Sequence, residues 1–152
     1  MSFKLRIKTM EILSSIVRAL RFYRYRISGY KNIQKSVILE SNLNLDRVCP
    51  QRIHIGKNSL IASRTTILAH EHVKRDPNNA RMPFMSDTYI GENCFIGIGA
   101  IILPGVKIGD QVIIGAGSVV TKDIPAHVIA VGNPAHIIRT GITMNSRAEL
   151  CE

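Results

Sequence analysis

This 152-residue sequence contains no tryptophan, and aromatic residues make up only 5% of it. So little ring volume leaves aliphatic side chains to fill the interior. The three cysteines, Cys49, Cys94 and Cys151, show no CxxC spacing and read as reduced core thiols of a cytosolic protein. No stretch is long and apolar enough to span a bilayer, because Arg18 and Arg21 interrupt the one candidate. The same interruption argues against a secretory signal. Acidic residues are also few, 11 against 20 Lys and Arg, for a net charge of +9. That excess is local: residues 1–31 hold eight Lys or Arg and only Glu11.

What is abundant is a six-residue rhythm. From Tyr89 to Asp123, aliphatic residues fall at Ile90, Ile96, Ile102, Ile108, Ile114 and Val120 without a slip. Glycine follows at Gly91, Gly97, Gly109 and Gly115, and small or β-branched residues come four places after each aliphatic, from Cys94 to Ile124. A 3.6-residue period would scatter these isoleucines over every face of a helix, and the recurring glycines would weaken it. A fixed period of six predicts an all-β solenoid, a parallel β-helix in which each unit is a short strand and a turn. One unit cannot bury its apolar face, so successive coils must stack.

The same phase is set earlier, at Ile33, Leu39 and Leu45, and resumes after an interruption (Arg47 to Ile53) at Ile55, Ile61 and Ile67. Between Ile67 and Ile90 lie 17 residues more than the period requires, including VKRDPNNARMP. Insertions in repeats become loops on one face, often the binding face. Twelve hexads make about four coils if three close one turn. The chain thus divides into a basic amphipathic segment (1–30), a β-helix (31–139, with a protruding loop at about 71–88) and a short helical or frayed tail (140–152).

From Met10 to Arg21 the pattern is helical, with Met10, Ile12, Leu13, Ile16, Val17 and Leu20 on one arc. Such a helix serves either as a cap over the open first coil or as an interfacial helix on anionic lipid. The cap is the preferred expectation, and peripheral contact with the inner face of the membrane stays open. The basic run carries no nucleic-acid motif, and no nucleic-acid partner is expected.

Residues 33–139 resemble the hexapeptide-repeat acyltransferases, in their sugar O-acetyltransferase branch. The resemblance rests on IGIGAIILPGVKIGDQVIIGAGSVVTKDIP, on VGNPAHIIR and on TTILAHEHV. It implies a left-handed β-helix and an acetyl-CoA-dependent transfer to a sugar hydroxyl, in polysaccharide or glycan biosynthesis. Attack by a hydroxyl on a thioester needs a base, and imidazole suits that task. The family's base falls on His72, with His70 beside it. Gly97, Ile98, Gly99, Ala116 and Gly117 match the groove for the coenzyme arm, followed by Thr121 and Lys122. Lys122, His136 and Arg139 stand where the family meets phosphate. Counting back to the preceding coil for the acceptor-binding residue lands on Asn42, or by repeat phase near Ser41.

Alternatives within the fold are N-acetylation of an amino sugar, O-acetylation of a small hydroxyl compound, and a non-catalytic scaffold. A His-x-His metal site would need a third spaced histidine with supporting acids, and His127 and His136 are poor candidates, so no metal is expected. A triangular solenoid offers no cleft deep enough for a ligand as long as acetyl-CoA. Three chains side by side would form three grooves, and the family is trimeric in this way. A homotrimer is therefore expected, with Pro83, Phe84 and Met85 of the insertion reaching a neighbour.

Overall fold

The computed structural model describes residues 3–151, with side chains at position 10 and from 12 onward. Strands of mostly two residues stack into three parallel sheets. The first face holds Ile53–Ile55, Thr88–Ile90 and Lys107–Ile108, extended at its ends by bridges from Ile33 and Ile124. The second holds Ile38–Leu39, Leu60–Ile61, Phe95–Ile96, Ile113–Ile114 and Val128–Val131, with His136–Thr140 added antiparallel. The third holds Asn44–Leu45, Thr66–Ile67, Ile101–Ile102 and Val119–Val120. The chain visits the faces in rotation, which makes a β-helix.

Register records the history of the repeat. Tyr89 opposes Lys107, Phe95 opposes Ile113 and Ile101 opposes Val119, each eighteen residues apart. Ile38 opposes Leu60 at twenty-two and Thr66 opposes Ile101 at thirty-five. The interruption thus adds four residues to one coil and the insertion adds seventeen to the next, without disturbing the stack. Every repeat aliphatic from Ile33 to Val120 is buried. Full burial of each isoleucine contributes about 2 kcal/mol relative to exposure. Cys49 and Cys94 join this core, but Cys151 is exposed, which corrects the expectation of three core thiols.

Three further segments depart from expectation. The helix α1 spans Phe3–Ile27, well beyond Met10–Arg21. Gly29 ends it at φ +99°, with Tyr30 N donating to Tyr25 O and Gly29 N to Arg26 O, a Schellman arrangement that only a left-handed residue completes. Phe22 and Tyr25 pack on the core, and Arg21 donates to Leu39 O at 2.6 Å. The insertion is a β-hairpin rather than a loop, pairing His70–Asp76 with Asn79–Met85. Its turn is closed by Asn78 N donating to Asp76 Oδ1 at 2.7 Å. The tail is neither helical nor frayed. Thr143–Met144 and Leu150–Cys151 form a second hairpin. Ile142, Met144 and Ala148 are buried there against Leu60, Phe95, Ile113 and Ile129, the outward row of the second face. A sheet whose outer row is apolar must be covered, and this tail covers it.

Candidate active site

Apart from His136 and Arg139, which lie on the added strand of the second face, the predicted site residues fall on or beside two of the three corners. At the corner between the second and third faces, successive coils place Ser41–Asn42, Ser63–Arg64, Ile98–Gly99 and Ala116–Gly117 above one another. Arg64 N donates to Ser41 O, Gly99 N to Ser63 O and Gly117 N to Ile98 O. Asn42, Arg64, Gly99 and Gly117 all have positive φ, from +57° to +68°. A Cβ at Gly99 or Gly117 would meet nothing within 4 Å, so this corner is open to a ligand. Gly97 is committed to packing: a Cβ there would come within 2.5 Å of Ala116 N. Gly132–Ala135 closes over the last coil, with Gly132 N donating to Ser118 Oγ and Ala135 N to Val119 O. It leads into His136 and Arg139, both exposed on the added strand.

The histidines occupy the next corner, between the third and first faces. Asn44 opposes Thr66 and Leu45 opposes Ile67, so Asp46 lies beside the segment that leads into the insertion. Its carboxylate has no exposed surface, whereas the His70 side chain is 17% exposed. Asp46 Oδ2 meets His70 Nδ1 at 2.5 Å and accepts from Ala69 N at 2.8 Å, while Oδ1 accepts from Val48 N at 2.9 Å. Burial alone would raise this carboxyl, but the donors from Ala69, His70 and Val48 outweigh it and hold Asp46 below the usual range. With Nδ1 facing the carboxylate, the His70 ring is fixed and its Nε2 is left for other work. His72 is exposed, and its ring meets that of His70 edge-on, centroids 5.1 Å apart. Ser86 N donating to Ala69 O at 2.9 Å and Thr88 Oγ1 to Leu68 O at 2.6 Å pin the base of the hairpin that carries both.

Behind the hairpin lies a second polar group. Asp87 pairs with Arg52 at 2.9 Å and with His54 Nε2 at 3.0 Å, and His54 stacks on Tyr89 at 4.3 Å. These contacts, the His54 hydrogen bond foremost, lower the Asp87 pKa. Asp46, Cys49 and His70 form the one group of metal-ligand type among the described residues, with ligand atoms within 4.8 Å of one another. Burial pushes the Cys49 thiol up to about 11, with Asp46 adding to the effect. With Asp46 bonded directly to His70 and accepting from the backbone of Val48, Cys49 and Ala69, the group of Asp46, Cys49 and His70 forms a hydrogen-bonded cluster.

The structure therefore splits the predicted set. Ser41 and Asn42, expected near the acceptor and the histidines, stand on the glycine corner. Thr121 and Lys122, expected with Ala116 and Gly117, follow Val119–Val120 onto the histidine corner. Asp46 escaped the sequence reading because the four extra residues that follow it broke the count. The sequence offered a partial signal, since only Glu40 and Asp46 are acids directly after a repeat aliphatic, and of the two only Asp46 is buried.

Residues 87–122 match the family model for the bacterial transferase hexapeptide (six repeats). The galactoside O-acetyltransferase of Lactococcus lactis subsp. lactis (strain IL1403) is 38% identical over 116 residues, covering 76% of this chain and 56% of that protein. The Escherichia coli (strain K12) galactoside O-acetyltransferase is 40% identical over 104 residues, 65% of this chain and 49% of that one. Among solved structures, a maltose O-acetyltransferase from Clostridium difficile 630 superposes with a TM-score of 0.58 at 33% identity, covering 72% of this chain and 71% of that chain. This chain belongs to the hexapeptide-repeat acetyltransferases. A galactoside acetyltransferase solved in complex with coenzyme A is a further member of that family, with a TM-score of 0.56 at 31% identity, covering 71% of this chain and 64% of that one. The chain spans about half the length of the galactoside O-acetyltransferases it matches.

Proposed function

We propose that this hexapeptide-repeat protein transfers the acetyl group of acetyl-CoA to a hydroxyl of a sugar, as a left-handed solenoid of about four coils acting in glycan biosynthesis. The observation that carries the reading is the Asp46–His70 pair set beside exposed His72 at the base of the insertion hairpin. His72 is the base that an acceptor hydroxyl can reach. His70, tethered to the buried carboxylate, holds the His72 ring in place. As the hydroxyl proton passes to His72, the sugar oxygen bonds to the acetyl carbon and the C–S bond breaks. The proton then goes to the departing thiolate. A backbone amide beside the thioester stabilises the oxyanion.

The pantetheine arm lies along the open corner of Gly99 and Gly117, flanked by Ile98 and Ala116. His136, opposite Val131 beside that corner, and Arg139, further along the added strand, meet the phosphates. Within one chain the two corners stand at opposite edges of the third face. A homotrimer brings the histidine corner of one subunit against the glycine corner of the next, and Thr121 and Lys122 then line the same groove from the histidine side. A second reading, with His70 itself as the base, is favoured by the Asp46 contact, which leaves Nε2 free in the manner of an oriented catalytic imidazole.

Incubation with acetyl-CoA and galactosides or maltose, followed by mass spectrometry, tests the function. A mass gain of one acetyl group on the sugar is expected. Absence of transfer to any sugar or amino sugar, together with no coenzyme A binding, would leave a scaffold.

A further inference from the structure

Helix α1 has two faces, and the solenoid uses one. Phe22, Tyr25 and Arg21 hold it against the first coil, and Tyr30, just past its end, donates through its hydroxyl to Leu45 O at 3.0 Å. The helix is therefore set at a fixed attitude over the end of the β-helix. At 100° per residue, Ile12, Leu13, Ile16, Leu20, Tyr23 and Ile27 fall within about 100° of arc on the side away from Phe22 and Tyr25. These six are 49% (Ile16) to 87% (Ile27) exposed. A row of six large apolar side chains in water is costly and marks a contact surface.

Charge indicates what covers it. From Ile12 to Ile27 the helix carries Arg18, Arg21, Arg24 and Arg26 and no acidic residue. Arg26, which donates to Lys31 O, borders the apolar arc on one side and Arg24 on the other, where long side chains can lie along a lipid surface with their remaining guanidinium N–H groups at the phosphates. Arg24 also lines a pocket with Arg47, between the helix and the first coil. A second copy of the helix packed parallel would set Arg24 and Arg26 against the arginines of its partner. Among the described residues, no helix is long and apolar enough to cross a membrane.

We infer that the outer face of α1 docks on an anionic lipid bilayer, lying in the interface with its apolar arc among the acyl chains and its flanking Arg24 and Arg26 at the phosphates. Capping and lipid binding are then the two faces of one helix. The full-length protein should co-sediment with vesicles of equal parts phosphatidylglycerol and phosphatidylcholine, but not with phosphatidylcholine alone, and added salt should release it. Ile16→Ser with Leu20→Ser should lower the bound fraction by about tenfold while leaving folding and oligomeric mass unchanged, since both side chains are exposed. Arg24→Gln with Arg26→Gln should also weaken binding, and keeps the test open should the apolar pair fail to fold. The proposal is overturned if folded wild-type protein ignores the anionic vesicles, or if it binds neutral ones equally well. It is also overturned if the apolar pair changes the oligomeric mass without affecting vesicle binding.

Discussion

Asp46 is buried, charged and tied to four donors: the backbone N–H groups of Val48, Cys49 and Ala69, and His70. Its removal should be felt twice. His72→Ala is expected to lower acetyl transfer by about two to four orders of magnitude, the scale of a general base. Asp46→Asn and His70→Ala should cost less, and the three should not add, because they act as one unit. Near-normal turnover in His72→Ala alongside a dead His70→Ala would make His70 the base. Asp46 also predicts a pH dependence of stability. Its folded pKa lies below the unfolded value, so its contribution is complete above about pH 4 and is lost as pH falls through the folded value. The stability difference between wild type and Asp46→Asn, from denaturant titrations at stepped pH, should shrink as the medium is acidified below that point. A difference that grew on acidification would contradict the assignment.

At the scale of elements, strands of two residues hold together only because every coil adds to all three sheets. Close approach between coils is therefore demanding. Gly97→Ala would set a Cβ at 2.5 Å from backbone, and should destabilise the fold by about 1–3 kcal/mol. The open corner behaves differently, because a side chain at Gly117 has room and only the positive φ resists it, at about 1–2 kcal/mol. Coenzyme A affinity should accordingly fall in Gly117→Ala by more than its stability loss explains, a comparison that calorimetry of binding and thermal melting can make. The C-terminal hairpin is an element by virtue of what it covers. Met144→Ala should lower stability by about 2–4 kcal/mol, because Met144 is buried over the second face, and activity per folded molecule should be unchanged.

For the whole molecule, the separation of the two corners carries the prediction. Chains altered at His72 (His72→Ala) and chains blocked in the groove (Ala116→Trp) should each be inactive alone. Mixed and reassembled, they should recover part of the activity, since some interfaces pair an intact histidine corner with an intact glycine corner. A monomer by light scattering with full activity would defeat the shared site.

The period of six was enough to name the β-helix, its interior column from Ile33 to Val120 and both breaks in it, because a buried position recurring at fixed spacing leaves one stacking solution. The resemblance to the hexapeptide-repeat acyltransferases, not the period, singled out His70, His72 and the stretch holding Gly99 and Gly117, which the structure sets on two different corners. The rest depended on contacts between segments far apart in the chain. Asp46 joins His70 across 24 residues. Ser41, Asn42, Gly99 and Gly117 meet only because coils of unequal length still stack in register. The tail lost its expected helix because the outward row of Leu60, Phe95, Ile113 and Ile129 had to be covered, and a short segment's own propensity is too weak to resist that burial.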